Sequence, residues 1–386
     1  MTAPSLDDML ESLPPIVEDR ESETGDELRA DAPRRRFALT PRRAFGMIAI
    51  VLAIILAGLI AYLLWFVGRP ESLADYPVVR RVEPVWQVYG PGEGDSPLFD
   101  RPMGVAVGAG DHIYVTDSGN NRVCVFDSSG RFIRQFGSFG IAKPAQGYEA
   151  TYVAGSLNYP IGIDTDDEGN VYVASFYNDS VEVFDAEGNP LRRFPDPTMP
   201  IGKGSSGYGG TGIAVTDVAA GGDRVYALDA YQVFVFTTDG ELVDQWGKPG
   251  NSPGDLDHPN GIAVSDDGKT VYISDSNHAR VTAFSSSGDV LWQVGDIPEG
   301  MSDPEAGELE LPRGITVMPD GSILVADVFA FTLVRISAEG EVLGDYGERG
   351  VEPGQFNFSN DVEAFRSFVV VADKENGRVQ LVHLTQ

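Results

Sequence analysis

The sequence predicts an all-β fold, a six-bladed β-propeller closed by its own N-terminal strand and preceded by one transmembrane helix. Three observations carry this. The 45 Gly and 25 Pro of the 386 residues are spread along the chain, which implies many turns and many short strands. Beyond residue 78, short apolar runs recur six times. Ahead of them, residues 44–68 carry no formal charge.

In chain order, residues 1–43 form an acidic tail with a basic end, too poor in apolar residues to build a core and expected to be disordered. Within it, Ser5 precedes early acids, and Leu6, Met9, Leu10 and Leu13 share one helical face. Residues 5–13 are therefore a candidate docking helix for a cytoplasmic partner, against the plainer reading of a solvated tail. The 25 residues of 44–68 reach roughly 37 Å as a helix, enough to cross a hydrocarbon core of about 30 Å. A cleaved signal peptide would be shorter and nearer the N-terminus. Arg29, Arg34, Arg35, Arg36, Arg42 and Arg43 precede the span and only Arg69, Arg80 and Arg81 follow it closely. This asymmetry predicts a single-pass protein of the cell membrane, N-terminus cytoplasmic, with everything after the linker 69–78 outside the cytoplasm.

Residues 79–386 hold the repeats. The most regular unit reads Arg101-Pro-Met-Gly-Val-Ala-Val107, His112-Ile-Tyr-Val-Thr-Asp117, Asn121-Arg-Val-Cys-Val-Phe126 and Arg131-Phe-Ile-Arg-Gln-Phe-Gly137. These are four strands, a to d, of one antiparallel blade. Strand a returns at Tyr159–Ile163, Gly210–Val215, His258–Val264 and Leu311–Val317, with a divergent copy at Phe358–Ala364. The last blade ends after strand c, whereas Pro84–Gly90 has the composition of a strand d without a blade. The N-terminal strand is thus expected to complete blade 6 and close the ring.

On these residues the chain from 79 to 386 resembles an NHL-repeat propeller of the membrane-anchored bacterial type. The NHL pattern of Asp, Asn three later and Arg two after that is matched by Asp117, Asn120 and Arg122, and by Asp373, Asn376 and Arg378. Asp275, His278 and Arg280 match with His for Asn. The expected role of these sets is structural, an Asp–Arg pair tying neighbouring strands. The resemblance says little about function, since the fold hosts enzymes and binders alike.

The charge is −30 overall, and residues 79–386 carry 46 acids against 20 bases, which argues against a nucleic-acid partner. Cys124, the only cysteine, lies in an apolar strand and reads as a core residue. Some related propellers bind metal at the channel mouth. The residues before the strand-a glycine, which should face that mouth, are Met103, Ile161, Thr211, Asn260, Arg313 and Asn360, no set for zinc or calcium. Asp164–Gly169 resembles a calcium loop superficially and reads as a hairpin turn. No catalytic centre, metal or cofactor is expected.

The chemistry-bearing feature is instead asymmetry. In the b–c turns of blades 2, 3 and 5 the repeat's Arg is lost and aromatics appear: Phe176 and Tyr177, Tyr231, Phe329 and Phe331. The long d–a connections at the same end hold Tyr148, Tyr152 and Tyr208. With Arg313 these form a candidate face for a protein, peptide or envelope glycan. Packing of aromatics under long loops is the competing reading, and a metal-dependent hydrolase or lyase of the propeller type is the alternative function.

Overall fold

A computed structural model describes Leu56 and residues 81–92, 98–142, 151–195, 214–295 and 309–385. The chain divides into two compact units, Met1–Glu71 and Ser72–Gln386. Of the first, only Leu56 is described, so the acidic tail, segment 5–13 and the expected span 44–68 lie outside the described residues, as does the linker 69–78. No helix among the described residues is long and apolar enough to cross a membrane.

Among the described residues, the second unit contains six four-stranded antiparallel sheets, and each is one blade of a propeller. Blade 1 runs Pro102–Gly108, His112–Asp117, Arg122–Phe126 and Phe132–Phe136, with neighbours in sequence also neighbours in the sheet. Blade 6 is ordered differently. Its strands Ser359–Phe365, Phe368–Asp373 and Arg378–Leu384 are completed by Val82–Val88, which pairs Val82 with Leu384 and Val88 with Val379. The expected closure is therefore present.

Alternation along each strand gives a blade two apolar faces, and neither can be buried within the sheet. The core is accordingly six clusters, one between each pair of successive blades. Val115, Cys124 and Phe126 of blade 1 pack on Val370, Ala372 and Val379 of blade 6. Burial pushes the Cys124 thiol up to about 12, so it behaves as a small hydrophobe. Trp86 of the closing strand behaves like strand-d aromatics elsewhere. Just as Trp246 packs over Gly288 in the c–d turn of the next blade, Trp86 packs over Gly130 and donates from Nε1 to the Ser128 carbonyl at 3.0 Å. Both glycines have positive φ, and a Cβ there would meet the indole at 3.0 Å or closer.

One boundary differs from expectation. Strand a of blade 3 is Asp217–Gly221, not 210–215. The tight turn at Gly222-Asp223 sets the register, pairing Gly221 with Arg224 and Asp217 with Leu228. Gly212-Ile213-Ala214-Val215 copies the repeat's letters but lies just before the paired strand.

The Asp–Asn–Arg sets are the structural ties the sequence implied. Asp117 accepts from Asn120 Nδ2 at 2.8 Å and Arg122 Nε at 2.7 Å, and the buried Asp275 takes His278 and Arg280 in the same way. Arg378, fully buried, uses all five donors: Asp373 Oδ2, Gln87 Oε1 and the carbonyls of Val351, Glu352 and Gln355. It thereby joins three strands of blade 6 to the loop that enters it. Arg378→Ala is expected to lower stability by about 3–5 kcal/mol in denaturant titration, because Asp373 is left buried and unpaired. Arg131→Ala, which removes the exposed pair with Asp127, should change it by less than about 1 kcal/mol.

Candidate functional site

The b–c and d–a connections share one end of the propeller, and there the channel mouth widens into a depression of about 590 Å³. Met103, Ile161, Asn260 and Arg313 line it, as expected of the residues before the strand-a glycine. Thr211 lies outside the described residues, and Thr216 lines the wall for blade 3. Asn360 does not line it directly; its side-chain oxygen accepts from Arg313 Nη1 at 2.6 Å and its amide donates to the Met103 carbonyl.

The aromatic residues are distributed unevenly around this mouth. Phe176 lines the depression, and Tyr177, 41% exposed, packs edge-on against Phe176 and at a tilt against Tyr159. Tyr231 is half-buried with its ring 5.2 Å from that of His258, which also lines the depression. On the opposite blade, Phe329 is 50% exposed, and Phe331 lies under the Arg349 guanidinium; both pack edge-on to Phe358. Tyr152 is held against its own blade, its hydroxyl donating to Glu182 and its ring under Arg193. Tyr148 and Tyr208 lie outside the described residues.

Tyr159, His258 and Phe358 were not singled out in the sequence, yet Tyr159 and Phe358 stand immediately before strand a on this face and His258 three residues before it. Tyr159, His258, Phe331 and Phe358 all adopt left-handed backbone, with φ between 49° and 59°. The conformation belongs to the repeat, since Arg101 and Asn121 share it. Bulky aromatics in it are uncommon, and the conformation costs about 1–2 kcal/mol per residue.

Deeper in the channel four carboxylates come together that sequence reading did not group. Asp164, Asp217, Asp361 and Glu363 line a narrow cavity of about 160 Å³ beside Thr316. All four tie blades, Glu363 by accepting from the Thr316 hydroxyl of blade 5 at 3.0 Å. Asp361 accepts from the Val105 amide of blade 1, Asp217 from Ile262 of blade 4 and Asp164 from Ala220 of blade 3, at 2.7–2.9 Å. Asp217 and Asp361 occupy the place of the strand-a glycine and lie over Gly162 and Gly314 of the preceding blades, where a Cβ would collide with them. Burial pushes Asp164 up to about 7 and Glu363 up to about 8, and raises Asp217 and Asp361, with neighbouring carboxylates adding to each. The Asp164–Gly169 segment divides accordingly: Asp164 belongs to the channel, whereas Asp166 accepts from the Glu168 and Asn170 amides and holds a hairpin turn. Among the described residues no three His, Cys, Asp or Glu form a metal-binding group.

Family comparisons agree with this architecture in two places. The NHL repeat matches residues 99–126, and the SMP-30/gluconolactonase/LRE-like region matches 252–347. Protein brain tumor of Drosophila melanogaster is 28% identical over 129 residues, 25% of this chain and 12% of that protein. RING finger protein nhl-1 of Caenorhabditis elegans is 49% identical over 39 residues, 10% of this chain and 4% of that protein. The chain thus spans about an eighth or less of these relatives. A Bacteroides thetaiotaomicron protein of unknown function superposes with a TM-score of 0.56 at 17% identity, over 78% of this chain and 75% of that one. Virginiamycin B lyase of Staphylococcus aureus gives 0.48 at 13% identity, over 72% and 79%.

The channel carboxylates predict a pH dependence of stability. Their folded-state pKa values are raised above the roughly 4 of an unfolded chain, so the folded protein holds protons the unfolded one has shed. This contribution is fully present below about pH 4 and is lost as pH rises through the folded values of about 7 for Asp164 and about 8 for Glu363. Melting temperature should fall between pH 5.5 and 8.5, and Glu363→Gln, which keeps the bond from Thr316, should flatten that fall; an unchanged slope refutes the assignment.

Proposed function

We propose that this chain is a membrane-anchored binding module, N-terminus in the cytoplasm. Its propeller, outside the cytoplasm, recognises a protein, peptide or envelope glycan through the b–c and d–a face. The observation that carries this reading is the choice of aromatics at left-handed positions around one depression. The repeat geometry needs no aromatic at these positions, because Arg101 stands ahead of strand a in blade 1, and Asn121 and Gly377 stand where Phe331 does in blades 1 and 6. A strained residue retained on a surface points to use rather than packing. Exposed Tyr177 and Phe329 supply rigid, amphipathic or apolar contact area of the kind that anchors interfaces. The NHL match is consistent with a protein partner. Anchorage rests on the uncharged run 44–68 and the arginines before it. Segment 5–13 would then offer its apolar face to a cytoplasmic partner.

A metal-dependent hydrolase or lyase is the second reading, favoured by the match of 252–347 to the SMP-30/gluconolactonase region. The two are separated by metal analysis of the purified chain and by the partner it captures from envelope extracts. Stoichiometric divalent metal would favour the enzyme.

Tyr177→Ala with Phe329→Ala is expected to weaken capture of an envelope partner at least tenfold, each residue contributing about 2 kcal/mol to an interface. Their melting temperature should stay within a few degrees of wild type. If the rings are packing instead, each replacement costs about 3–5 kcal/mol of stability and capture survives in the folded fraction.

A further inference from the structure

The depression contains a cation with no counter-charge among the described residues. Around its rim Arg101 lies 3.6 Å from Asp100, Lys374 2.9 Å from Glu375 and His258 2.6 Å from Asp257. Arg313 is different. It lines the depression, is half-buried, and forms no ion pair among the described residues. Its Nη1 donates to the neutral Asn360 amide oxygen, and its buried Nε has no hydrogen-bond partner. Burial lowers its pKa with no carboxylate opposing the shift. A partly desolvated guanidinium left this way is costly, and the chain carries 58 acids from which a partner could have been drawn.

The surroundings suggest what completes it. Met103, Ile161 and Phe176 give apolar walls, and Tyr159, Asn260 and Asn277 add polar groups. We infer that the depression binds a ligand bearing a single carboxylate, the carboxylate on the Arg313 guanidinium and the ligand's body against Met103, Ile161 and Phe176. This rests on the reading of this face as the recognition surface and adds to it the chemistry of what is recognised. The planar fork of arginine suits a carboxylate. One cation matches one negative charge, whereas a phosphate dianion brings a second charge that Arg313 does not balance and meets a chain of net charge −30.

The test uses the full chain and three probes by calorimetry: N-acetylalanine for a peptide source, glucuronate for a glycan source and inorganic phosphate. Wild type is expected to bind at least one carboxylate, with phosphate weaker, and Arg313→Gln should lose at least tenfold. Because the charge is unbalanced, Arg313→Gln should melt at or above the wild-type temperature. Binding that survives Arg313→Gln, phosphate binding more tightly than both carboxylates, no binding of any probe, or a marked drop in melting temperature would each overturn the inference. If it fails while Tyr177→Ala with Phe329→Ala still abolishes envelope capture, the aromatic face stands and the carboxylate site falls. If carboxylates bind through Arg313 while that double variant captures as wild type does, the site stands and the aromatic reading falls.

Discussion

Each blade's innermost strand has a partner on one side only, and the backbone groups on its other edge must be satisfied across the channel wall. A buried amide without an acceptor costs about 1–3 kcal/mol, and six inner edges multiply that. The blades solve this by reaching sideways. Asp361, Asp217 and Asp164 each accept from an amide of the next blade, and Thr116 takes the Gly104 amide while donating to the Ile161 carbonyl. These bonds, with the six apolar clusters, hold the ring at the axis as the closing strand holds it at the rim. The strand-a glycines follow from the same constraint: Gly261 needs no special dihedral but passes so near the Arg313 carbonyl that no Cβ fits.

That arrangement has an electrostatic consequence. A channel built on aspartates concentrates acidic groups where water is scarce, and their proton affinity rises together. The same residues that satisfy the backbone therefore hold protons toward neutral pH, while Arg313 at the mouth is a cation with no counter-charge among the described residues. The mouth and the structural girdle lie on one axis.

Much of this was legible in the sequence. The blade count and the Asp–Asn–Arg ties are written in local repeats, where each residue's neighbours are close in the chain or one repeat away, and the closing strand is written in the last repeat's missing fourth strand. The mouth-lining positions were also readable, because Met103, Ile161, Asn260 and Arg313 hold equivalent places. What escaped depends on register between blades. Asp217 fell outside the expected strand a because Gly212–Val215 imitates the repeat, and only pairing with Arg224–Leu228 shows that it replaces the strand-a glycine. Asp164 was hidden inside an acidic run whose other members are turn residues. Tyr159 and Phe358 were passed over because their importance lies in backbone conformation, which letters do not display.

The closing strand has one further consequence. Val82–Val88 is both the ring's last strand and the first stretch of propeller that any pull from residues before Arg81 must meet. Such a load falls on a ladder with a bulge between Pro84 and Trp86, on the Gln87–Arg378 bond and on the seat of Trp86 over Gly130. The seam that keeps the ring shut is thus its mechanical fuse: tension enough to peel it would open blade 6 first and leave the other five sheets with all four of their own strands.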